Sequence, residues 1–491
     1  GIDVTKLPEA KLYIDGKLRR AAGDRTFEVV GPWTGEITTL AADASAEDMN
    51  EAIAAARRAF DTTDWASNRD LRLQCVTRLR DLLYANRERL VDIARLEVGA
   101  AMGAIFSVQV DGALSGLDAL IELFPTVTWE EDRGTAEAYG VRSQRLVVHE
   151  PVGVAAAITP WNVPLYINVA KVISGLLAGC TVILKPAPDT PSAAAILGEL
   201  AHEAGFPPGV FNVVTGADPA MLGEMLTLDP RVDLITFTGS TAVGKRIMEK
   251  GASTLKRLFL ELGGKSANII LDDAPNFAQT VASSIVCFHA GQGCAIATRL
   301  LVPRSRYAEA IAALEQAYQS FSDHWGDPEA PSQVMGPVIS KKQMDRVLGY
   351  IELGQKEGAR LLAGGHARPD KGGGFFVEPT CFVDVSNDMR IAQEEIFGPV
   401  LVVIPFEDDD DAIRIANQSE YGLAGHVASG DKARALRIAR AVRTGSVGVN
   451  GAMAVGPDLP FGGFKSSGVG REWGREGIEE YLESKVIAVP A

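Results

Sequence analysis

The segment Phe288-His289-Ala290-Gly291-Gln292-Gly293-Cys294-Ala295-Ile296 sets a thiol among glycines, just ahead of the apolar run Arg299–Val302. Glycines allow a bend that larger residues would block, so Cys294 can stand exposed at the start of an element. Backbone N–H groups around such a bend stabilise a thiolate or an oxyanion. The other reading of such a cysteine is a small buried apolar side chain. Upstream, Phe259-Leu260-Glu261-Leu262-Gly263-Gly264-Lys265 closes an apolar strand with a carboxylate. Desolvation there would raise the pKa of Glu261 into the range of a general base; a structural ion pair is the alternative. Pro160-Trp161-Asn162-Val163-Pro164 ends another apolar run, Val152–Ile158. Asn162 offers an amide N–H that donates to a developing negative oxygen without titrating, although taken alone it reads as an ordinary turn asparagine. His289 precedes Cys294 closely enough to suggest a Cys–His pair, but sequence proximity does not guarantee contact.

Two further segments suit a nucleotide. Val182-Ile183-Leu184-Lys185-Pro186-Ala187 is a strand ending in a fixed ammonium, placed for ribose or phosphate. Phe237-Thr238-Gly239-Ser240-Thr241-Ala242-Val243-Gly244-Lys245 reads as strand, tight turn and helix N-terminus, whose free N–H groups suit a pyrophosphate. It is not GxGxxG. It approaches the phosphate-loop spacing, but Arg246 follows Lys245 where a Mg²⁺-binding hydroxyl is needed, which disfavours a P-loop NTPase.

The elements that must position these groups are legible from about Arg145. Apolar runs alternate with helical segments: Val152–Ile158 then Val163–Ala178, Thr181–Leu184 then Pro191–Ala204, Val210–Val214 then Pro219–Leu226, and Val232–Thr238 then Thr241–Lys250. That alternation predicts a doubly wound α/β domain on a parallel sheet, with a nucleotide at the carboxyl edge of its strands. Ahead of it, Ser45-Ala46-Glu47-Asp48 starts a helix with Met49, Ile53, Ala56 and Phe60 inward. Ser67–Asp70 starts a longer one running through Leu71, Cys75, Leu79, Leu82, Leu90, Ile93 and Leu96 to a stop at Gly99. A second α/β series follows, with strands Arg299–Val302, Val400–Phe406 and Ser446–Asn450 and helices Arg304–Ser320, Lys341–Glu357 and Lys432–Arg443. Gly364-Gly365 and Gly372–Gly374 read as hairpin turns. The alternating segments Tyr139–His149 and Ser484–Pro490 are either edge strands or an arm that extends a neighbouring subunit's sheet.

At 491 residues and 46 % hydrophobic, the chain predicts about three domains at ~150 residues each and a core that needs no disulfide. Its net charge of −15 argues against nucleic-acid and anionic-membrane partners. The 5 cysteines are odd in number and form no CxxC pair, which points to a reducing compartment and to no disulfide scaffold or zinc ribbon; no metal is expected. The start, Gly1-Ile2-Asp3-Val4-Thr5-Lys6, has no apolar signal region, and the apolar stretch Val172–Leu184 falls short of the ~20 residues of a membrane span. A cytoplasmic protein is expected.

Taken in order, Pro160-Trp161-Asn162, Lys185-Pro186, Phe237-Thr238-Gly239-Ser240-Thr241, Glu261-Leu262-Gly263-Gly264-Lys265, Gly291-Gln292-Gly293-Cys294 with Thr298-Arg299, Glu394-Glu395-Ile396-Phe397-Gly398-Pro399 and Pro460-Phe461-Gly462-Gly463-Phe464-Lys465 resemble the motifs of the aldehyde dehydrogenase superfamily. The resemblance runs from about Tyr13-Ile14-Asp15-Gly16 to the C-terminus. It implies a doubly wound cofactor domain (residues 1–125 and 151–262) and an α/β catalytic domain (263–450, with 451–474 returning to the cofactor side). A small β arm for oligomerisation (126–150 and 475–491) completes the expected fold. It also implies oxidation of an aldehyde to a carboxylic acid with NAD(P)⁺, by a homodimer or homotetramer. By the same resemblance Cys294 is the nucleophile, Asn162 and the Cys294 N–H form the oxyanion hole, and Glu261 activates the water that resolves a thioester. Ile158, Trp161, Lys185, Ala187, Gly223, Thr238, Gly239, Ser240 and Val243 match the cofactor cradle, with Leu262, Gly263, Glu395 and Phe397 on the nicotinamide side. Trp161, Val163, Tyr166, Ile167, Phe288 and Phe461 match an access funnel; that apolar set fits medium-chain or aromatic aldehydes. Pro188 departs from the pattern, standing where many NAD-using members carry Glu; NAD is expected, with weakened discrimination against NADP. The acylating branch, which passes the thioester to coenzyme A, generally lacks the Glu that is present here. A catalytically silent structural member is a further alternative, disfavoured by the retention of Cys294, Glu261 and Asn162.

Overall fold

In the computed structural model, which describes residues 6–491, the apolar runs after Arg145 become the parallel strands of an eight-stranded sheet. The start of the chain, on which the signal-region reading rests, lies outside the described residues as far as residue 5. The parallel strands are β1 (Val154–Thr159), β2 (Thr181–Pro186), β3 (Phe211–Val213), β4 (Leu234–Thr238) and β5 (Arg257–Glu261). Their crossover helices are α1 (Pro164–Ala178), α2 (Ser192–Glu203), α3 (Pro219–Leu228) and α4 (Thr241–Gly251). β1, β2 and β4 are buried at every position, since both faces are covered, and their sequences are accordingly mainly apolar, with no inside/outside alternation.

The strand order β5-β4-β1-β2-β3 reverses between β1 and β4, the doubly wound pattern with a ligand crevice outside the carboxyl ends. Those ends are in step: Ile158 lies opposite Lys185 and Phe237, and Thr238 opposite Glu261. The antiparallel edge strand Gly468–Val469 places Gly468 opposite Glu261, which brings the C-terminal segment to the same corner.

A seven-stranded sheet takes the rest of the core. Its strands are β6 (Ser266–Ile270), β7 (Ala297–Pro303), β8 (Arg360–Ala363), β9 (Thr380–Val383), β10 (Val400–Phe406), β11 (Gly425–Ala428) and β12 (Gly448–Val449), in the order β8-β9-β10-β7-β6-β11-β12. Its long helices are α5 (Tyr307–Phe321), α6 (Lys341–Lys356) and α8 (Lys432–Ala441), with the shorter α7 (Asp409–Asn417) between the last two. The chain passes from β5 to β6 through Leu262–Lys265. Ser266 pairs with Ala297, so the residues ahead of β6 and those ahead of β7 run side by side. That juxtaposition carries Glu261 to Cys294.

Several expectations need correction. The long helix expected up to Gly99 breaks into Arg69–Ala85 and Arg87–Ile93, followed by a π-helical turn at Ala94–Val98. At the break, the Asn86 side chain donates to Leu82 O at 2.7 Å, a local bond that competes with the helical ladder. Gly364-Gly365 is not a hairpin turn: β8 and β9 pair antiparallel across a long excursion with Gly372–Gly374 at its tip. A side chain at Gly364 would meet Pro379 O at 2.1 Å. Tyr139 is no strand residue either. It turns the chain at φ +52° between Glu130–Ala138 and Val141–Pro151, and Leu482–Pro490 completes that three-stranded sheet. Among the described residues, the helical run long and apolar enough by length and composition to cross a membrane is Met102–Thr126. Its Ile105, Val110, Leu114, Leu117 and Leu120 are buried in the core cluster that also holds α1. Val172–Leu184 is instead divided between α1 and β2 at Gly179.

Candidate active site

Cys294 follows a turn in which His289, Ala290 and Gly291 are all left-handed, at φ +47°, +53° and +75°. Only glycine fits the last position: a Cβ on Gly291 would lie 1.8 Å from Gly398 O, so the turn presses directly on the Glu394–Pro399 segment. The half-buried Cys294 thiol donates to Glu261 Oε1 at 3.1 Å, and Thr238 Oγ1 reaches Glu261 Oε2 at 3.5 Å. Glu261 is 4 % exposed. Burial pushes its carboxyl up to about 8, with the negative Glu472 adding to the effect. Burial, then the Glu261 charge, holds the Cys294 thiol well above its usual range. The resting sulfur therefore keeps its proton, and Glu261 gains its proton-accepting form as the pH rises toward about 8.

Behind Glu261 stand two groups that sequence reasoning missed. Lys171 and Glu472 are both buried, and the ammonium lies 3.0 Å from Glu472 Oε1, off the line of a hydrogen bond. Lys171 Nζ also donates to Thr236 Oγ1 at 2.8 Å and sits 4.7 Å from the Phe259 ring centre. Reciprocal 2.7 Å backbone bonds between Phe461 and Glu472 tether this segment. The available signal was Lys171 itself, the one charged side chain in helix α1.

Asn162, 4 % exposed, donates from Nδ2 to Gln292 O at 3.2 Å. Among the described residues the Cys294 backbone N–H has no acceptor. His289 Nε2 lies 2.7 Å from Asn162 O and makes no bond to Cys294, so the structure does not join the Cys–His pair considered above. Of the funnel residues, Tyr166 packs on Trp473 with ring centres 4.7 Å apart, and Phe288 is exposed beside the nucleophile turn.

The candidate cofactor residues gather along the carboxyl edge of the first sheet. Lys185, buried at the end of β2, has no hydrogen-bond partner among the described residues, and burial pushes its ammonium down to about 8. Ile158 is its neighbour in the sheet, and Ala187 N donates to Thr159 O at 3.0 Å. Gly239 N donates to Glu261 O at 3.1 Å, and Ser240 caps α4 by accepting from Val243 N at 3.3 Å. Gly223 sits on α3, which Glu224 ties to Arg246 of α4 at 3.0 Å. Leu262 is buried against Gly244. Across the crevice Glu395 accepts from Gly264 N at 2.8 Å and borders Gly263; burial raises its carboxyl. Phe397, at φ +58°, meets Trp161 edge-to-face at 5.4 Å. Among the described residues no three His, Cys, Asp or Glu side chains cluster as metal ligands would.

The sequence profile of the aldehyde dehydrogenase family matches residues 19–487. The chain belongs to the aldehyde dehydrogenase family. Its general chemistry is thus aldehyde oxidation. This aldehyde dehydrogenase is 41 % identical over 487 residues to the 3-succinoylsemialdehyde-pyridine dehydrogenase of a Pseudomonas species, an alignment that covers 97 % of this chain and 98 % of that one. A Mycobacterium tuberculosis aldehyde dehydrogenase crystallised with NAD⁺ is 42 % identical, covers 99 % of each chain and superposes with a TM-score of 0.93. Aldehyde dehydrogenase C of Pseudomonas syringae, solved as a cysteine-to-alanine variant with NAD⁺ and octanal, is 39 % identical, covers 97 % of this chain and 96 % of that one, and gives a TM-score of 0.91.

Proposed function

We propose that this aldehyde dehydrogenase oxidises an aldehyde to the free carboxylic acid with NAD⁺, with water and not coenzyme A as the acyl acceptor. The observation that carries the reading is the 3.1 Å contact of the Cys294 thiol with the buried carboxylate of Glu261. Sulfur attacks the carbonyl carbon as its proton passes to Glu261, and the new oxyanion is met by the Cys294 N–H and the Asn162 amide. When bound, NAD⁺ supplies the acceptor for the hydride that the resulting thiohemiacetal releases. Once the proton from sulfur has left, Glu261 takes one from water as the water's oxygen attacks the thioester; the C–S bond breaks and the leaving sulfur takes that proton back from Glu261, giving acid and thiol. Glu472 and Lys171 supply a path along which the proton leaves.

The residues fit a dinucleotide. Lys185 has an unspent buried ammonium for ribose hydroxyls, and the capped N-terminus of α4 suits a pyrophosphate. Glu395 and Phe397 would hold the nicotinamide riboside, which is supported by the bond that Glu395 accepts from Gly264 N beside the end of the first sheet. The apolar funnel favours medium-chain or aromatic aldehydes, a reading supported by the octanal bound to the Pseudomonas syringae relative. The exposed Val141, Val486 and Val489 of the three-stranded sheet support assembly into a homodimer or homotetramer through that arm; a monomer by light scattering at micromolar concentration refutes it. The activity test is reduced-cofactor absorbance after adding octanal or benzaldehyde, with and without coenzyme A. Reduction independent of coenzyme A and release of free acid are expected. A requirement for coenzyme A, or no reduction with any aldehyde, overturns the proposal.

A further inference from the structure

Asn162 is gripped by its backbone from two separate elements. Its carbonyl oxygen lies 2.8 Å from Gln109 Nε2 and 2.7 Å from His289 Nε2, and all three residues are buried. A carbonyl has two lone pairs, so two donors fill it. The short contact to an oxygen requires the Nε2–H tautomer of the imidazole. The 3.3 Å separation of Gln109 Nε2 from His289 Nε2 is then two donors crowded around one acceptor. Both donors come from unusual backbone. Gln109 ends the π-helical turn Ile105–Gln109, a widening of the helix that re-aims a side chain. His289, at φ +47°, opens the left-handed run ahead of Cys294, a conformation seldom adopted by residues with a side chain. From a third direction the Asn162 amide donates to Gln292 O, and Gln292 is itself fixed by Ile339 N at 2.9 Å and by its own bond to His289 O at 3.1 Å. One N–H of the amide is used in this way, and the other has no protein acceptor among the described residues.

We infer that Gln109 and His289 are positioning residues, a buried two-donor clamp on the Asn162 carbonyl that fixes its amide in the orientation that receives the developing oxyanion. The inference rests on the oxyanion role proposed above for Asn162. His289 acts as a fixed donor and not as a base for Cys294. Burial drives its pKa down to about 4, which keeps the ring neutral while the enzyme works.

The test separates reactions that pass through an oxyanion from one that does not. Aldehyde oxidation and hydrolysis of an activated ester at Cys294 both place negative charge on the former carbonyl oxygen; alkylation of Cys294 by iodoacetamide does not. Gln109→Met, which keeps length and loses the donor, should lower kcat for both oxyanion reactions by roughly 10–100-fold, short of the ~10²–10³ for removing an oxyanion donor outright. Aldehyde KM, the NAD⁺ Kd from tryptophan fluorescence and the alkylation rate should stay within about twofold. His289→Leu should behave alike, and His289→Gln, which restores a donor, should recover most of the loss. In the Asn162→Ala background, Gln109→Met should cost less than about twofold more, since no amide is left to orient. Should the methionine variant fail to fold, Gln109→Asn, which withdraws the donor by one methylene, must give the same ordering. An alkylation rate that falls in parallel with kcat, no recovery in His289→Gln, or additive losses in the double variant overturns the clamp. Full turnover in Asn162→Ala overturns the clamp together with the oxyanion role it rests on.

Discussion

Glu261→Gln isolates the proton transfer that the proposed mechanism assigns to this side chain. The carboxylate is 4 % exposed and 3.1 Å from the Cys294 sulfur. Burial, aided by Glu472, places its pKa at about 8. The active form is the ionised one, so activity must rise with pH. A group of that pKa is about one-tenth ionised at pH 7 and about nine-tenths at pH 9, and turnover limited by thioester hydrolysis should climb about tenfold across that interval. Glutamine keeps the volume and an oxygen that accepts from the thiol, but it cannot take a proton. Steady turnover should drop by ~10²–10⁴-fold and lose its rise with pH. Stopped-flow absorbance of the reduced cofactor provides the assay: a slowed burst followed by a nearly flat steady state, with the acyl group found on the Cys294 peptide after acid quench. Steady turnover within a few fold of the native enzyme, or a variant that keeps the full rise with pH, refutes the reasoning.

Cys294→Ser should abolish dehydrogenase turnover and leave the NAD⁺ Kd unchanged, because the thiol acts in the chemistry and not in adenosine recognition; comparable turnover, or inactivation by labelling at another cysteine, removes the assignment. Lys171→Met should destabilise the fold by about 3–5 kcal/mol by leaving Glu472 as a buried unpaired charge. The same variant should shift the rise of activity to higher pH, since Lys171 now pulls the Glu261 carboxyl downward; an unmoved midpoint would contradict the relay. Cofactor preference, read as kcat/KM with one aldehyde, should favour NAD over NADP by a modest margin. Pro188 can neither bond a ribose hydroxyl nor repel a 2′-phosphate, and Pro188→Glu should widen the gap; an NADP value above that for NAD overturns the preference.

The parallel strands were legible because burial on both faces writes itself as apolar runs without alternation, as in residues 154–158 and 182–184. Glu130–Ala138 was not, because an almost wholly exposed strand has no apolar signature; it exists through its pairing with Val141–Pro151. The break at Asn86 and the turn at Tyr139 turn on single backbone angles that hydrophobic periodicity does not report. At the site, Cys294 stands in a glycine turn ahead of an apolar run, and Glu261 and Asn162 end apolar runs close to glycine or proline, so their addresses could be read one at a time. Gln109 carries no such mark. Its role arises only where a π-helical turn meets the carbonyl of a distant asparagine.

Lys171 lies between these cases. An ammonium in a helix with no other charged residue is costly to bury unpaired, and breaking a buried pair costs about 3–5 kcal/mol. The residue type and its mainly apolar setting in the chain therefore favour a buried acidic partner. Which carboxylate it would be is not a local property. Glu472 lies in a glycine-rich segment far along the chain, and it is the pairing of Gly468 opposite Glu261 that delivers it. One register thus places the general base, its acidic neighbour and the compensating lysine in a single corner. A disturbance of the Gly468–Val469 edge strand should consequently reach the base first, and the nucleophile only through it: a side chain at Gly468 would lie 1.9 Å from Leu260 O. The burst and the steady state would then respond differently to the same change.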